Sequence, residues 1–186
     1  MQIEGNKHRH RRTVVRDEAY GWIDVFIYGI IVIALLFTFL GRMAVVVGNS
    51  MEPTLYQDQC LIVSCFAYTP RRGDVIVFNT PGMESGEMIK RVIAVSGDTV
   101  HIDEEQRSVT VNGEVLRELY LMSPTNKAYD LKGPVTVPPG KLFVMGDNRS
   151  DSMDSRCNSV GFVDERNVYG KVLFRIYPIW EWAWIK

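Results

Sequence analysis

The sequence predicts a mainly β protein carried on a single N-terminal transmembrane helix, and three observations predict it. Residues 22–40 read WIDVFIYGIIVIALLFTFL, an apolar run interrupted only by Asp24. Beyond Arg42 the pattern changes to short apolar runs separated by Gly, Pro, Asn and Asp, the spacing of strands and turns. Within that region Val111-Asn112-Gly113-Glu114-Val115 is a hairpin signal, because Asn-Gly suits the positive φ angles of a tight turn.

As a helix, the apolar run would extend roughly 28 Å, enough for a hydrocarbon core. Thirteen of its residues are Val, Ile, Leu or Phe. Together they favour insertion by at most roughly 4–8 kcal/mol. Asp24 falls at the helix start, where the positive end of the helix dipole and the headgroups accommodate a carboxylate. Lys7, Arg9, Arg11, Arg12 and Arg16 precede the run and only Arg42 follows closely, so the N-terminus is expected in the cytoplasm. This divides the chain into a basic cytoplasmic tail (1–21), an anchor (22–41) and an extracytoplasmic β-rich domain (42–186). A cleaved secretory signal is the competing reading. The run exceeds a usual h-region and Gly41-Arg42-Met43-Ala44 is a poor cleavage site, so a retained anchor is favoured.

In the outer domain, strands are expected over 43–47, 59–67, 74–79, 88–95, 99–102, 107–111, 141–145 and 167–176. Turns are expected at 69–74, and exposed loops over 80–87 and 123–140, where Gly and Pro collect. The tail Trp180-Glu181-Trp182-Ala183-Trp184, if extended, presents three indoles on one face. Contact with the headgroup zone and a final strand over the core are equally compatible with it.

A net charge of −1 and a pI of about 6.3 leave no broad basic surface, and nucleic acid is excluded as a partner. Cys60 and Cys65 are poorly placed to pair within one strand, since five extended residues span roughly 17 Å. Buried free thiols are expected, with a partner for Cys157 left open.

Of three histidines, His8 and His10 fall on the cytoplasmic side, and His101 sits in a Val-His-Ile strand pattern, which argues against a Ser–His–Asp triad. No clustered Cys/His ligands suggest zinc, and the run 147–154 lacks the calcium-loop pattern, so neither metal nor cofactor is expected. Ser50 follows a Gly by two residues and precedes a Pro by three, a setting for a nucleophile held at the end of a strand and equally for an ordinary turn after a membrane helix. The base left for it is a lysine. Lys90 interrupts the apolar strand 88–95, where period two sets it on a face with Met88, Val92 and Ala94. A free lysine has a pKa of about 10.4, and burial lowers it by up to several units. Arg91 points to the other face and needs a carboxylate. Two cations snorkelling from an edge strand is the bland reading of this pair. The polar run from Gly146 to Arg156 follows an apolar strand, and it suits a solvated loop or a strand-end site.

Four ordered blocks together resemble the type I signal peptidase family of membrane-bound Ser–Lys proteases: Ser50-Met51-Glu52-Pro53-Thr54-Leu55, the stretch Arg72–Phe78, Lys90-Arg91-Val92 with Gly97-Asp98, and Gly146-Asp147-Asn148-Arg149 through Arg156. The resemblance implies that Ser50 is the nucleophile and Lys90 the general base. It further implies that Ser152 hydrogen-bonds the lysine amine, that Asp154 and Arg156 buttress the loop, and that Arg91 pairs with Asp147. It implies a β-rich catalytic domain with an apolar surface resting on the bilayer, in a bacterial cell membrane. A preprotein signal peptide of the Ala-x-Ala type would bind as an added strand, and contact with the secretion translocon is compatible with it. Met51, Leu55, Val46 and Ile89 flank the matched residues and are expected to wall the substrate pockets. Enteric members carry a serine where this chain has Gly48, so the oxyanion is expected to rest on the Ser50 N–H with Asn49 as a second donor. Two other readings are a relative of the SOS-response repressor autoproteases, which carry a DNA-binding segment absent here, and a membrane-tethered β module that binds peptides without cleaving them.

Overall fold

The computed structural model describes residues 22–34, 41–66, 68–81 and 86–185. The chain divides into two units, Met1–Leu40 and Gly41–Lys186. In the first, residues 22–34 form a helix, α1, with every side chain exposed. It is about 20 Å long. The basic tail 1–21 and residues 35–40 of the expected anchor lie outside the described residues. Among the described residues no helix is long and apolar enough to cross a membrane.

The described residues of the second unit hold twelve strands: β1 (Arg42–Val45), β2 (Cys60–Ser64), β3 (Val75–Asn79), β4 (Glu87–Val95), β5 (Thr99–Asp103), β6 (Ser108–Val111), β7 (Glu114–Val115), β8 (Val135–Thr136), β9 (Lys141–Met145), β10 (Val163–Asp164), β11 (Val168–Tyr177) and β12 (Ala183–Trp184). The larger sheet runs β1-β2-β11-β3-β4-β9-β10, with β12 added to β11, and the smaller runs β7-β6-β5-β8. The hydrophobic pattern explains the placement. β2, β5 and β6 alternate buried and half-buried residues, as strands with one solvated face do. The unbroken apolar runs VIVF in β3 and LFVM in β9 are buried on both faces, in the interior of the sheet. The long expected strands are present within a few residues of their predicted ends. Two-residue strands such as β8, inside the expected loop 123–140, are too short to leave a periodic signal. Asn112 and Gly113 adopt φ of 54° and 83° in the β6–β7 hairpin, as Asn-Gly predicts.

Three details position the site. First, the pairing of β4 with β9 shifts register between Val92 and Ala94. Lys90 lies opposite Ile76 and Met88 opposite Phe78 in β3, and Val92 packs with Ile76, Phe78, Leu142 and Val144. Ala94 packs instead with Val100, Val109 and Phe143. The single face expected for Met88, Lys90, Val92 and Ala94 therefore ends at Val92, because a bulge changes the phase of the alternation. Second, the turn before β3 is built on Asp74, which accepts from the Arg71 N–H at 3.0 Å and the Tyr68 hydroxyl at 2.6 Å. Third, of β4 only Arg91–Val95 pair with β9, so Glu87–Lys90 pair with β3 on one side and with no described strand on the other.

The C-terminus departs from an extended tail. Ile179–Glu181 form a 3₁₀ turn that breaks the period-two alternation at Trp180, and only Ala183–Trp184 pair as a strand. Trp182 and Trp184 both meet Phe174, with ring centroids 6.4 and 3.7 Å away. Register then makes one row across four strands, Met43 opposite Ile62, Ile62 opposite Phe174 and Phe174 opposite Trp184. Met43 and Trp184 are 64% and 61% exposed, so its ends are open to solvent. The cysteines are free thiols but half-buried rather than buried.

Gly170 sits at the centre of the larger sheet, where a Cβ would come within 2.1 Å of the Ser64 carbonyl oxygen of β2. That contact is with backbone and cannot rotate away. Gly170→Ala is expected to destabilise the domain by about 1–3 kcal/mol, read as a lowered Tm in thermal denaturation.

Candidate active site

Ser50 lies in the turn between β1 and β2. Met51 and Leu55, 2% and 0% exposed, pin that turn into the core beside Val46, Leu61 and Val77. The turn is closed by the Leu55 N–H donating to the Met51 carbonyl at 2.9 Å and the Glu52 N–H donating to Asn49 at 3.1 Å. Gly48 reverses the chain ahead of Ser50 with a φ of 83°, a conformation that favours glycine.

Lys90 comes from β4, 40 positions away, and is 4% exposed. Its Nζ lies 2.7 Å from Ser50 Oγ and donates to the Ile89 carbonyl at 3.1 Å. Burial pushes the Lys90 pKa down from 10.5 to about 8, with Arg156 adding to the effect and Asp154 and Asp147 opposing it. The amine is thus brought within reach of neutral pH, and its lone pair becomes available to a hydroxyl proton.

Behind this pair stands a layer of buried charge drawn from the loop after β9. Arg91 holds Asp147 in a two-pronged contact, Nε to Oδ1 at 2.8 Å and Nη2 to Oδ2 at 2.7 Å. Its Nη1 donates to the Gly73 carbonyl at 2.8 Å, which ties the pair to the turn before β3. Arg156 grips Asp154 in the same way, at 2.8 Å on both prongs. Asp154 in turn accepts from the Gly146 N–H at 3.0 Å. All four side chains are buried. Each carboxylate therefore has its cation and its hydrogen bonds, the condition under which a buried charge is tolerated. Gly146 sits at the crossing of the two loops: a Cβ there would lie 2.2 Å from Ser152 Oγ and 2.4 Å from the Ser50 carbonyl oxygen. The serine turn is stapled to this loop by the Asn148 N–H, which donates to the Ser50 carbonyl at 3.0 Å.

The structure brings most of the predicted residues together and departs from expectation at two. Val46, Asn49, Ser50, Met51, Ile89 and Lys90 line one cleft of about 470 Å³, with Asp147, Asp154, Arg91 and Arg156 behind it. Leu55 is not a wall of that cleft; it is wholly enclosed in the core, where it holds the turn. Asn49 Nδ2 spends one of its two N–H donors on Asp151 Oδ2 at 2.8 Å. The bond expected from Lys90 to Ser152 is absent. The amine is turned to Ser50 and Ile89, and Ser152 Oγ is buried without a partner among the described residues. The backbone N–H of Ser50 makes no hydrogen bond among the described residues.

Sequence reasoning passed over Thr54, whose hydroxyl donates to Asp147 Oδ2 at 2.5 Å and links the serine turn to the Arg91 pair. Its place four residues after Ser50 in the matched block was the available signal. Met88, Met153 and Asp151 also line the cleft; period two had set Met88 on the face of Lys90, and the other two fall in the run Gly146–Arg156.

Comparison with known proteins gives one family. The family model described as "Signal peptidase, peptidase S26" matches residues 19–177. The chain is 33% identical to signal peptidase I P of Bacillus subtilis subsp. natto, over 94% of this chain and 95% of that one. It is 34% identical to signal peptidase I of Bacillus amyloliquefaciens, over 94% and 97%. It is 36% identical to probable signal peptidase I-1 of Synechocystis sp., over 87% and 84%.

Removing the carboxylate of Asp147 would leave the Arg91 guanidinium buried without its counter-ion. Asp147→Ala is expected to cost about 3–5 kcal/mol of folding stability, measured as a lowered urea midpoint.

Proposed function

The chain belongs to the signal peptidase family, peptidase S26, and is a serine endopeptidase that removes signal peptides from exported preproteins; from that premise we propose that Ser50 is its nucleophile and Lys90 its base. The observation that carries this assignment is the 2.7 Å approach of a buried amine to the serine hydroxyl. Neutral Lys90 takes the proton of Ser50 as Oγ adds to the scissile carbonyl. The negative charge gathering on the carbonyl oxygen is met by the free N–H of Ser50. Collapse of this intermediate breaks the peptide bond. The Lys90 ammonium gives its proton to the leaving amine of the mature protein, and the signal peptide stays as an ester on Ser50. Lys90 then removes a proton from water, which attacks the ester, and the serine is regenerated.

Two further features support the reading. The unpaired side of Glu87–Lys90 offers a ladder to an extended peptide, which would lie along β4 with its side chains in the cleft. Val46, Met51 and Ile89 give that cleft apolar walls, suited to the small side chains of an Ala-x-Ala site. Ser152, beside Ser50 at Gly146, supplies a buried acceptor for the amine once it is protonated.

The same reading places the enzyme in a bacterial cell membrane as a single-pass protein, with its N-terminus cytoplasmic and residues 42–186 outside. The basic residues before the apolar run 22–40 support it. So does the open apolar row of Met43, Ile62, Phe174 and Trp184, which suits lipid contact. Contact with the secretion translocon belongs to this reading as well.

In a preprotein cleavage assay, Ser50→Ala and Lys90→Arg are each expected to lose at least about a thousandfold in kcat/KM. Near-normal turnover in either variant overturns the assignment. Because the base must be neutral and its pKa is lowered to about 8, kcat/KM is expected to climb with pH up to that value and level off above it. A profile flat from pH 6 to 9 would contradict Lys90 as the base.

A further inference from the structure

Between β7 and β8 the chain runs from Leu116 to Pro134 with only turns and bends. Segments of this kind ordinarily cover surface. This one instead touches each of the three buried arginines behind the Ser50–Lys90 pair. The ring of Tyr120 lies over Arg91, with its centroid 4.0 Å from Cζ. Glu118 and Thr125 accept from Arg149, at 2.5 and 3.0 Å for the carboxylate and 2.5 Å for the hydroxyl. The ring of Tyr129 lies over Arg156 at 4.7 Å, and the Lys127 carbonyl accepts from the same guanidinium at 3.1 Å. Tyr129 also donates its hydroxyl to the Ser150 carbonyl at 3.2 Å, on the loop that carries Ser152.

These contacts complete the arginines. The guanidinium edges donate to carboxylates, carbonyls and hydroxyls, and at Arg91 and Arg156 a planar face, which cannot donate, is covered by an aromatic ring. An arginine so enclosed, 2% exposed at Arg91 and 0% at Arg156, has no room to swing away from its carboxylate. That matters to the reaction because Asp147 and Asp154 both favour a protonated Lys90, and Arg156 acts against them. Were either ring lost, water and freer arginines would leave the carboxylates less well compensated at the amine.

We propose that Tyr120 and Tyr129 are positioning residues: through them the strap 118–130 clamps Arg91 onto Asp147 and Arg156 onto Asp154, and so keeps Lys90 dry and proton-free opposite Ser50. This rests on Lys90 being the base. Neither tyrosine lines the cleft, so their effect is on the charge state of the base rather than on binding.

The test is the pH profile of kcat/KM for preprotein cleavage by the full-length enzyme. Wild type would be compared with Tyr120→Met and Tyr129→Met, which fill volume without a π face, and with Tyr120→Phe and Tyr129→Phe, which keep it. The methionine variants are expected to move the rising limb up by about one pH unit, about a tenfold loss at pH 7, with KM changed less than about twofold. The phenylalanine variants are expected to restore the wild-type limb. A limb that stays in place in a methionine variant with a cooperative unfolding transition overturns the proposal, as does a phenylalanine variant no better than methionine. If a methionine variant does not fold, Glu118→Gln decides, since it loosens the Arg149 clamp at constant size: an upward shift supports the strap and an unmoved limb overturns it. A wild-type profile with no limb near pH 8 removes the lysine base and this proposal together. A normal wild-type limb with unmoved variants removes only this proposal.

Discussion

A lysine serves as a base only while it is kept from water, and it is kept from water only if the carboxylates around it are satisfied by something else. The approach of Lys90 to Ser50 depends on both conditions at once. Burial alone would lower the amine's proton affinity; Asp147 and Asp154 alone would raise it. The protein meets both demands by giving each carboxylate its own arginine in a two-pronged contact, so the acids act as anchors for loops while most of their charge is spent locally.

The rest of the outer domain can be understood as the scaffold for that arrangement. β3 and β9, apolar on both faces, flank β4 and exclude water from the strand that carries Lys90 and Arg91. The register shift after Val92 lets the far half of β4 join a different core cluster while its near half keeps one edge open beside the serine turn. Met51 and Leu55 fix the other partner: a serine on a turn is held as firmly as one on a strand when its neighbours are buried at 2% and 0% exposure. Gly146 then permits the two loops to touch, because hydrogen is the only side chain that fits between Ser152 and the Ser50 carbonyl.

Much of this was legible in the residues. Period-two alternation and unbroken apolar runs located the long strands. Asn112-Gly113 located a hairpin, and the order of four blocks located Ser50, Lys90, Arg91, Asp147, Asp154 and Arg156. Two side chains point elsewhere than expected for a common reason, which is that a side chain's direction depends on packing. Leu55 turned inward, and Lys90 turned to Ser50 and Ile89 rather than to Ser152. The segment 118–130 has no periodicity to announce itself, and its role became visible only once Tyr120 and Tyr129 were seen against guanidinium planes.

The amino-acid sequence by itself determined which chemistries were available, since too few histidines fall where a triad would need them and a lysine stands in an apolar strand. It also determined the local geometry of turns and strands, because φ preferences and alternation act between near neighbours in the chain. Only the tertiary structure decided which groups meet: Ser50 and Lys90 are 40 positions apart, Arg91 and Asp147 are 56, and Asn49 and Asp151 are 102. Contacts at such separations are set by how sheets and loops pack, and the protonation state of the amine is set with them, because desolvation and the field of neighbouring charges exist only once the chain has closed around it.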